Sequence, residues 1–340
     1  MNTQLNLEQN LNIKSLVSLL KINSIDSFIN CDNLLKGRNI IFTSNDNLRF
    51  PINGWANNVL EEAEIPVKRI LPKYEPTIVS GIDSSCLKIA ETQDGSIYAI
   101  KCGLVFCMSL DTVMHFRIGP LLLYISDESL RSSELDSRLL KAVSYDSDMA
   151  RRLIRINMER LIQNKLSKIL RNSIILVDGA LNSSIFENRQ HNLNKIAENC
   201  VLNRNVIIGL GKSTKFKILD KVSFGLRSLN DPGLIDVGFI IKSLVKNSLG
   251  FNTLVKFAKS TPIMRLDIIT STISDALFTI GKIIGNDPLP SGYPESLSMA
   301  HHISSFSSSE ISSIKAHLLK EYNLVELPSQ NVRKTLLGSI

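Results

Sequence analysis

The chain has no run of about eighteen consecutive apolar residues, so no segment is expected to cross a membrane as a helix. Its amino terminus, MNTQLNLEQNLN, is polar and lacks the basic-then-apolar pattern of a secretory signal. Cysteine is sparse: Cys31, Cys86, Cys102, Cys107 and Cys200 are odd in number, form no C-x-x-C pair and stand in no zinc spacing with histidine. These absences argue against a disulfide framework and against structural zinc. They lead to the expectation of a soluble, cytoplasmic protein with reduced thiols. A nucleotide-binding loop is missing as well. The stretch Val206-Ile207-Ile208-Gly209-Leu210-Gly211-Lys212-Ser213 has valine where G-x-x-x-x-G-K-[ST] needs its first glycine.

What the chain does have is length and apolar content. Its 340 residues are 44% hydrophobic and 21% charged, enough for a substantial core in one large domain with additions, or in two smaller ones. A net charge of +7 suits a phosphate-rich partner, although many basic proteins bind no nucleic acid. Residues 1–72 read as a mostly helical N-terminal extension, with short helices over 16–22 and 55–64. Pro66, Pro72 and Pro76 then break regular structure. Residues 73–326 form the main domain and 327–340 a patternless tail.

The main domain opens with a strand over 77–83 that leads into 86–90. The turn Gln93-Asp94-Gly95-Ser96 follows, then a strand over 97–108 and a third near 117–125, placed at an edge or bulge by Pro120. A polar helix and loop occupy 126–148, and a helix of 3.6 spacing covers 149–170. Then come a strand at 174–177, a helix at 192–200 and a strand at 206–210. The last third carries 234–245, a strand-like 263–272, 276–284, a helix from Pro294 and another over 309–322. Strand, strand, strand, helix, strand, helix, strand is an α/β order that predicts a mixed sheet flanked by helices. It is also the succession of ribonuclease-H-like folds, whose acidic residues sit on the first strand, first helix and fourth strand. Asp83, Glu159 and Asp178 fill those slots.

TIVSGIDSS and IILVDGALN each run through apolar residues to an aspartate, which puts Asp83 and Asp178 at the edge of a sheet. Glu159 shares a helical stripe with Ile156, Ile162, Leu166 and Leu170, and a carboxylate facing a core must find a cation or a proton. A magnesium or manganese ion shared with both aspartates meets that need, because hard cations take oxygen ligands. Two such ions would make a two-metal phosphodiester-cleaving site. Each residue also has a plain reading. Either aspartate caps the turn after its strand, and Glu159 pairs with Arg152 or Arg155. Lys212, with Lys215 and Lys217, suits a phosphate contact or an ordinary solvated turn. Tyr293, just before a helix, and His301, within it, reach one pocket or sit satisfied in the core.

These pieces together resemble the NurA family of archaeal DNA nucleases. The resemblance is carried by SGIDSS around Asp83, the helical Glu159, ILVDGALN with Asp178, IIGLGKS with Lys212, RLDI with Arg265 and Asp267, and GYPESLSMAH with Tyr293 and His301. It covers roughly residues 77–302, with Asp148 as the alternative to Glu159. It implies a ribonuclease-H-like core, a homodimer, and manganese-dependent 5′-to-3′ exonuclease and single-strand endonuclease activity. Processing of DNA double-strand break ends with a hexameric HerA-type translocase follows from the same likeness. On that basis Asp83, Glu159 and Asp178 bind metal, Tyr293 and His301 act at the scissile phosphate, and Lys212 and Arg265 contact substrate. The chain departs from the family where Ser84, not the frequent glycine, follows Asp83, which alters the turn expected there. Two other readings stand beside the active nuclease: a non-catalytic DNA-binding scaffold of the same translocase, and a ribonuclease or other phosphotransferase on the same fold.

Overall fold

The computed structural model describes residues 39–42, 65–126, 143, 146–188, 191–211, 219, 222–245, 248–270 and 272–327. The helices expected over 16–22 and 55–64, the tail beyond 327, and Lys212, Lys215 and Lys217 lie outside the described residues. So does most of the polar segment 126–148.

Alternating apolar residues fold the described chain into an 11-stranded sheet. Its strands are β1 (Asn39–Phe42), β2 (Lys68–Arg69), β3 (Val79–Thr92), β4 (Gly95–Met108), β5 (Asp111–Ser126), β6 (Ile174–Asp178), β7 (Val206–Gly211), β8 (Gly233–Asp236), β9 (Phe251–Lys256), β10 (Met264–Ile268) and β11 (Val325–Glu326). The helices are α1 (Ser147–Ile169), α2 (Leu193–Leu202), α3 (Phe224–Ser228), α4 (Gly238–Leu244), α5 (Ile273–Asn286), α6 (Glu295–Ser304) and α7 (Ser308–Glu321). Strands β3, β4 and β5 form an antiparallel meander through the Gln93-Asp94 turn. Strands β6 and β7 join β3 in parallel through helical crossovers, and β10, β9 and β8 extend the sheet antiparallel. This is the α/β, ribonuclease-H-like mixed sheet flanked by helices that the element order predicts.

Three sequence expectations change. The strands read at 77–83 and 86–90 are one continuous β3, so no turn follows Asp83 and Ser84 is a strand residue. Strand β9 has no forecast in the sequence, where Asn252, Thr253 and Lys256 dilute its apolar pattern; pairing with β8 and β10 creates it. The segment 234–245 divides into β8 and α4 at Val237. Pro120 lies where β5 slips register against β4, as an edge strand allows.

Two apolar layers cover the two faces of the sheet. Helices α1 and α2 bury Ile154, Met158, Ile162, Leu166 and Ile196 against Ile82, Ile175, Val177 and Ile207. Helices α5 and α6 bury Ala276, Ile280, Ile283 and Leu297 against Val79, Ile174, Leu176 and Ile208. Helix α6 lies unusually close to the strands beneath it. A Cβ on Gly81 would overlap the backbone of Ser296, and one on Gly103 the backbone of Ala300. Lys101, buried on β4, fixes the far end of α6 by donating to the Ser305 carbonyl (2.6 Å) and to Glu310 (2.9 and 3.0 Å).

Candidate active site

Asp83 and Asp178 come together because β3 and β6 are parallel and in register. Gly81 pairs with Leu176 and Ile82 with Val177, so the two aspartates are the next residues along each strand. Strand β6 ends at Asp178, while β3 continues to Thr92. The backbone leaves the sheet through Gly179, whose φ of 111° is a conformation side chains rarely adopt. Asp83 is thereby a mid-strand residue beside the opening where its parallel neighbour stops.

On the α6 side, His301 Nδ1–H donates to Asp83 Oδ2 at 2.7 Å, and the Ser304 hydroxyl reaches the same oxygen at 3.3 Å. The close seating of α6 on Gly81 and Gly103 makes this contact possible across 218 residues of sequence. Asp83 is 4% exposed, whereas the His301 side chain is 57% exposed. On the α1 side, the Ser84 hydroxyl donates to Glu159 Oε1. Arg155, one helical turn before Glu159, stands between the carboxylates. Its Nη2 is 3.4 Å from Glu159 Oε1 and 3.8 Å from Asp83 Oδ1, and its Nε donates to Ser84 Oγ at 3.3 Å. Arg152, the other partner considered for Glu159, instead lies over the Phe186 ring. Asp148 is exposed and paired with Arg151 in the first turn of α1, leaving Glu159 as the α1 carboxylate at this site.

Burial raises the Glu159 pKa above its usual value; the guanidinium of Arg155 and the Ser84 hydroxyl oppose that rise. Tyr293 holds its proton still more firmly. Burial first, then the negative charges of Asp178 and Asp83, push its hydroxyl well above the ordinary phenol range. The structure thus gathers Asp83, Glu159, Asp178, Tyr293 and His301 from β3, α1, β6, the residues just before α6 and its last turn.

Arg265 occupies a different position. It is buried on β10 and grips Asp267 with two bonds, Nε to Oδ1 at 2.9 Å and Nη2 to Oδ2 at 2.8 Å. Asp267, fully buried, also accepts from the Leu181 backbone N–H at 3.0 Å and the Asn252 amide at 2.7 Å. Leu181 belongs to the loop that follows Asp178, so this pair anchors that loop from behind. Ser304 is the contact the sequence did not announce, while Arg155 is one of the two partners expected for Glu159 and Ser84 supplies a hydroxyl rather than an altered turn. The 3–4-residue spacing of Arg155 to Glu159 and Ser304 to His301 was the available signal.

Asp287 supports the same region without touching the carboxylates. It is fully buried and accepts from the backbone N–H and hydroxyl of Ser296, in the first turn of α6. Burial pushes its pKa from 3.8 up to about 6, against the pull of those hydrogen bonds. A carboxylate with a raised folded-state pKa contributes stability that is complete below 3.8 and lost as pH rises through about 6. Asp287→Asn is therefore expected to flatten this part of the stability profile. The stability difference between variant and wild type should shift in the variant's favour between those two values, by roughly 3 kcal/mol in total. Urea unfolding of both proteins across that window measures it; parallel curves would contradict the assignment.

Among the described residues, no three His, Cys, Asp or Glu side chains stand close enough together to enclose one ion. Two of the expected ligands nevertheless converge on a positive charge, the Arg155 guanidinium, and the donors are carboxylate oxygens. That donor chemistry fits a hard divalent ion.

No family model matches the chain, and no curated protein sequence does either. Among solved structures it is similar to the NurA nuclease from Sulfolobus solfataricus, at 14% identity and a TM-score of 0.39, over 74% of this chain and 86% of that one. It is similar also to NurA bound to dAMP and manganese, at 10% identity and a TM-score of 0.44, over 77% and 91%. Two of the three likenesses are to NurA. The third is to Ciona intestinalis endonuclease V in complex with a 23mer DNA containing an inosine, at 15% identity and a TM-score of 0.34, over 72% and 92%. The similarity lies in the arrangement of strands and helices, and the chemistry rests on the side chains described above. No described helix is long and apolar enough to cross a membrane.

Proposed function

We propose that this chain is a metal-dependent DNA nuclease of NurA type. The observation that carries the reading is the convergence of Asp83, Glu159, Asp178, Tyr293 and His301 from distant segments on one opening in the sheet. Asp83, Glu159 and Asp178 hold manganese or magnesium; when bound, such ions stabilise charge on the phosphodiester and make water more acidic. In the hydrolysis, water oxygen adds to phosphorus, one P–O ester bond breaks, and the departing oxygen takes up a proton.

The protein's own groups serve that reaction in distinct ways. With Nδ1 engaged by Asp83, Nε2 of His301 is the ring nitrogen left to exchange a proton at the phosphate. Tyr293, held neutral, donates a hydrogen bond to a phosphate oxygen as its charge grows. Arg265 serves substrate through the loop behind Asp178, and Lys212 contacts the DNA backbone. The basic residues of α1, among them Arg151, Arg152, Lys165 and Lys168, add salt-dependent attraction for DNA. Activity as a 5′-to-3′ exonuclease and single-strand endonuclease, assembly as a homodimer, and work with a hexameric HerA-type translocase on double-strand break ends complete the proposal.

A scaffold that binds DNA without cutting it is favoured by one observation, the salt-bridged state of Asp83 and Glu159 with Arg155. End-labelled single-stranded DNA incubated with the purified protein separates the two. The nuclease reading expects products with manganese and none after chelation with EDTA. Salt-sensitive binding without products, with or without the translocase, would leave the scaffold.

A further inference from the structure

The Arg155 guanidinium sits where the charge balance of the site is decided. It lies within 3.4 Å of Glu159 and 3.8 Å of Asp83, and its Nε contact with Ser84 ties it to the hydroxyl that also serves Glu159. The two carboxylates are 15% and 5% exposed, whereas the arginine side chain is 45% exposed. The cation is thus the most solvent-accessible of the three groups, in contact with both carboxylates. Two carboxylates this close repel one another and need a positive charge between them. A guanidinium and a divalent ion each meet that need, but at a few ångströms they repel each other strongly.

We propose that Arg155 is a resident counter-cation that a divalent metal ion must displace to bind Asp83 and Glu159. The inference rests on the proposed metal role of those two carboxylates. Arg155 is a positioning residue under this reading: it holds the two carboxylates beside one another in the metal-free protein, and it sets the metal concentration at which the site fills. Its unbranched stem and exposed head let it leave without disturbing α1, since no other hydrogen bond among the described residues holds the guanidinium.

The test is direct manganese titration, following the free-ion spectrum by electron paramagnetic resonance in the absence of DNA. Wild type, Arg155→Gln and Arg151→Gln are compared, with folding checked by circular dichroism. Arg151 is one turn earlier on α1 and pairs with exposed Asp148, so its loss changes the net charge equally without touching the carboxylate pair. R155Q is expected to bind manganese about tenfold more tightly than wild type, and R151Q to bind as wild type does. R155K keeps the charge but loses the forked contact, and is expected to fall between; it replaces R155Q should that variant fail to fold. Equal affinity in R155Q and wild type, weaker binding in R155Q, or an equal gain in R151Q would overturn the inference while leaving the metal reading intact. Absence of manganese binding in every protein would overturn both.

Discussion

Asp83→Asn is expected to lower manganese-dependent DNA cleavage on the order of a thousandfold or more while leaving the fold intact. Asp83 is the point at which the site's contacts meet. Its Oδ2 receives His301 and Ser304, and its Oδ1 faces Arg155. Asparagine keeps the volume and one acceptor oxygen but removes the charge that both His301 and a divalent ion answer. Circular dichroism and Tm within a few degrees of wild type, together with loss of products on end-labelled DNA, is the expected pair of results. Unchanged turnover in a folded variant would remove Asp83 from the chemistry and with it the proposed site.

Arg265→Met should instead act on stability. The exchange preserves the length of the side chain but leaves Asp267 as a fully buried carboxylate without its cation. Removing one member of such a pair costs about 3–5 kcal/mol, and roughly 10 °C in Tm. Asp267 would retain only the Leu181 N–H and the Asn252 amide. The loop following Asp178 loosens with it, so cleavage falls secondarily. Asp267→Asn added to Arg265→Met is expected to recover part of the lost stability, because the stranded charge disappears. A variant with unchanged Tm and a raised KM for DNA would return Arg265 to direct contact with substrate.

These two cases show which parts of the site can be read from the chain. Asp83 stands out as a carboxylate following small and apolar residues in SGIDSS, and Asp178 as the end of the apolar run IILVD. Glu159 is visible as the charged member of an apolar stripe, and the structure gives it the cation that burial demands. Arg265 is visible only as part of a motif. Nothing in RLDI distinguishes a residue aimed at DNA from one folded back onto Asp267 two positions away. Ser84, standing where the family frequently has glycine, predicts an altered turn, yet pairing with Cys102 on β4 keeps the strand extended through it. Strand β9 was missed for a related reason. Its polar residues include Asn252, whose amide NH2 donates to Asp267, and Lys256, whose ammonium donates to three carbonyls at the end of α3. These partners exist only after folding.

By itself the sequence determined most of the strands and helices, the apolar faces of the sheet and the assignment of Asp83 and Asp178 to separate apolar strands. Those properties depend on periodicity and turn chemistry within a few residues. Only the tertiary structure decided which charge answers which. His301 meets Asp83 because Gly81 and Gly103 let α6 settle onto the sheet, Arg155 rather than Arg152 faces Glu159, and Arg265 closes on Asp267 behind the loop. The first pairing joins elements 218 residues apart, and in the other two the choice among neighbouring partners is made by how the helix and strand pack. In the low-dielectric interior the choice of partner is decisive, and local spacing offers candidates without choosing among them.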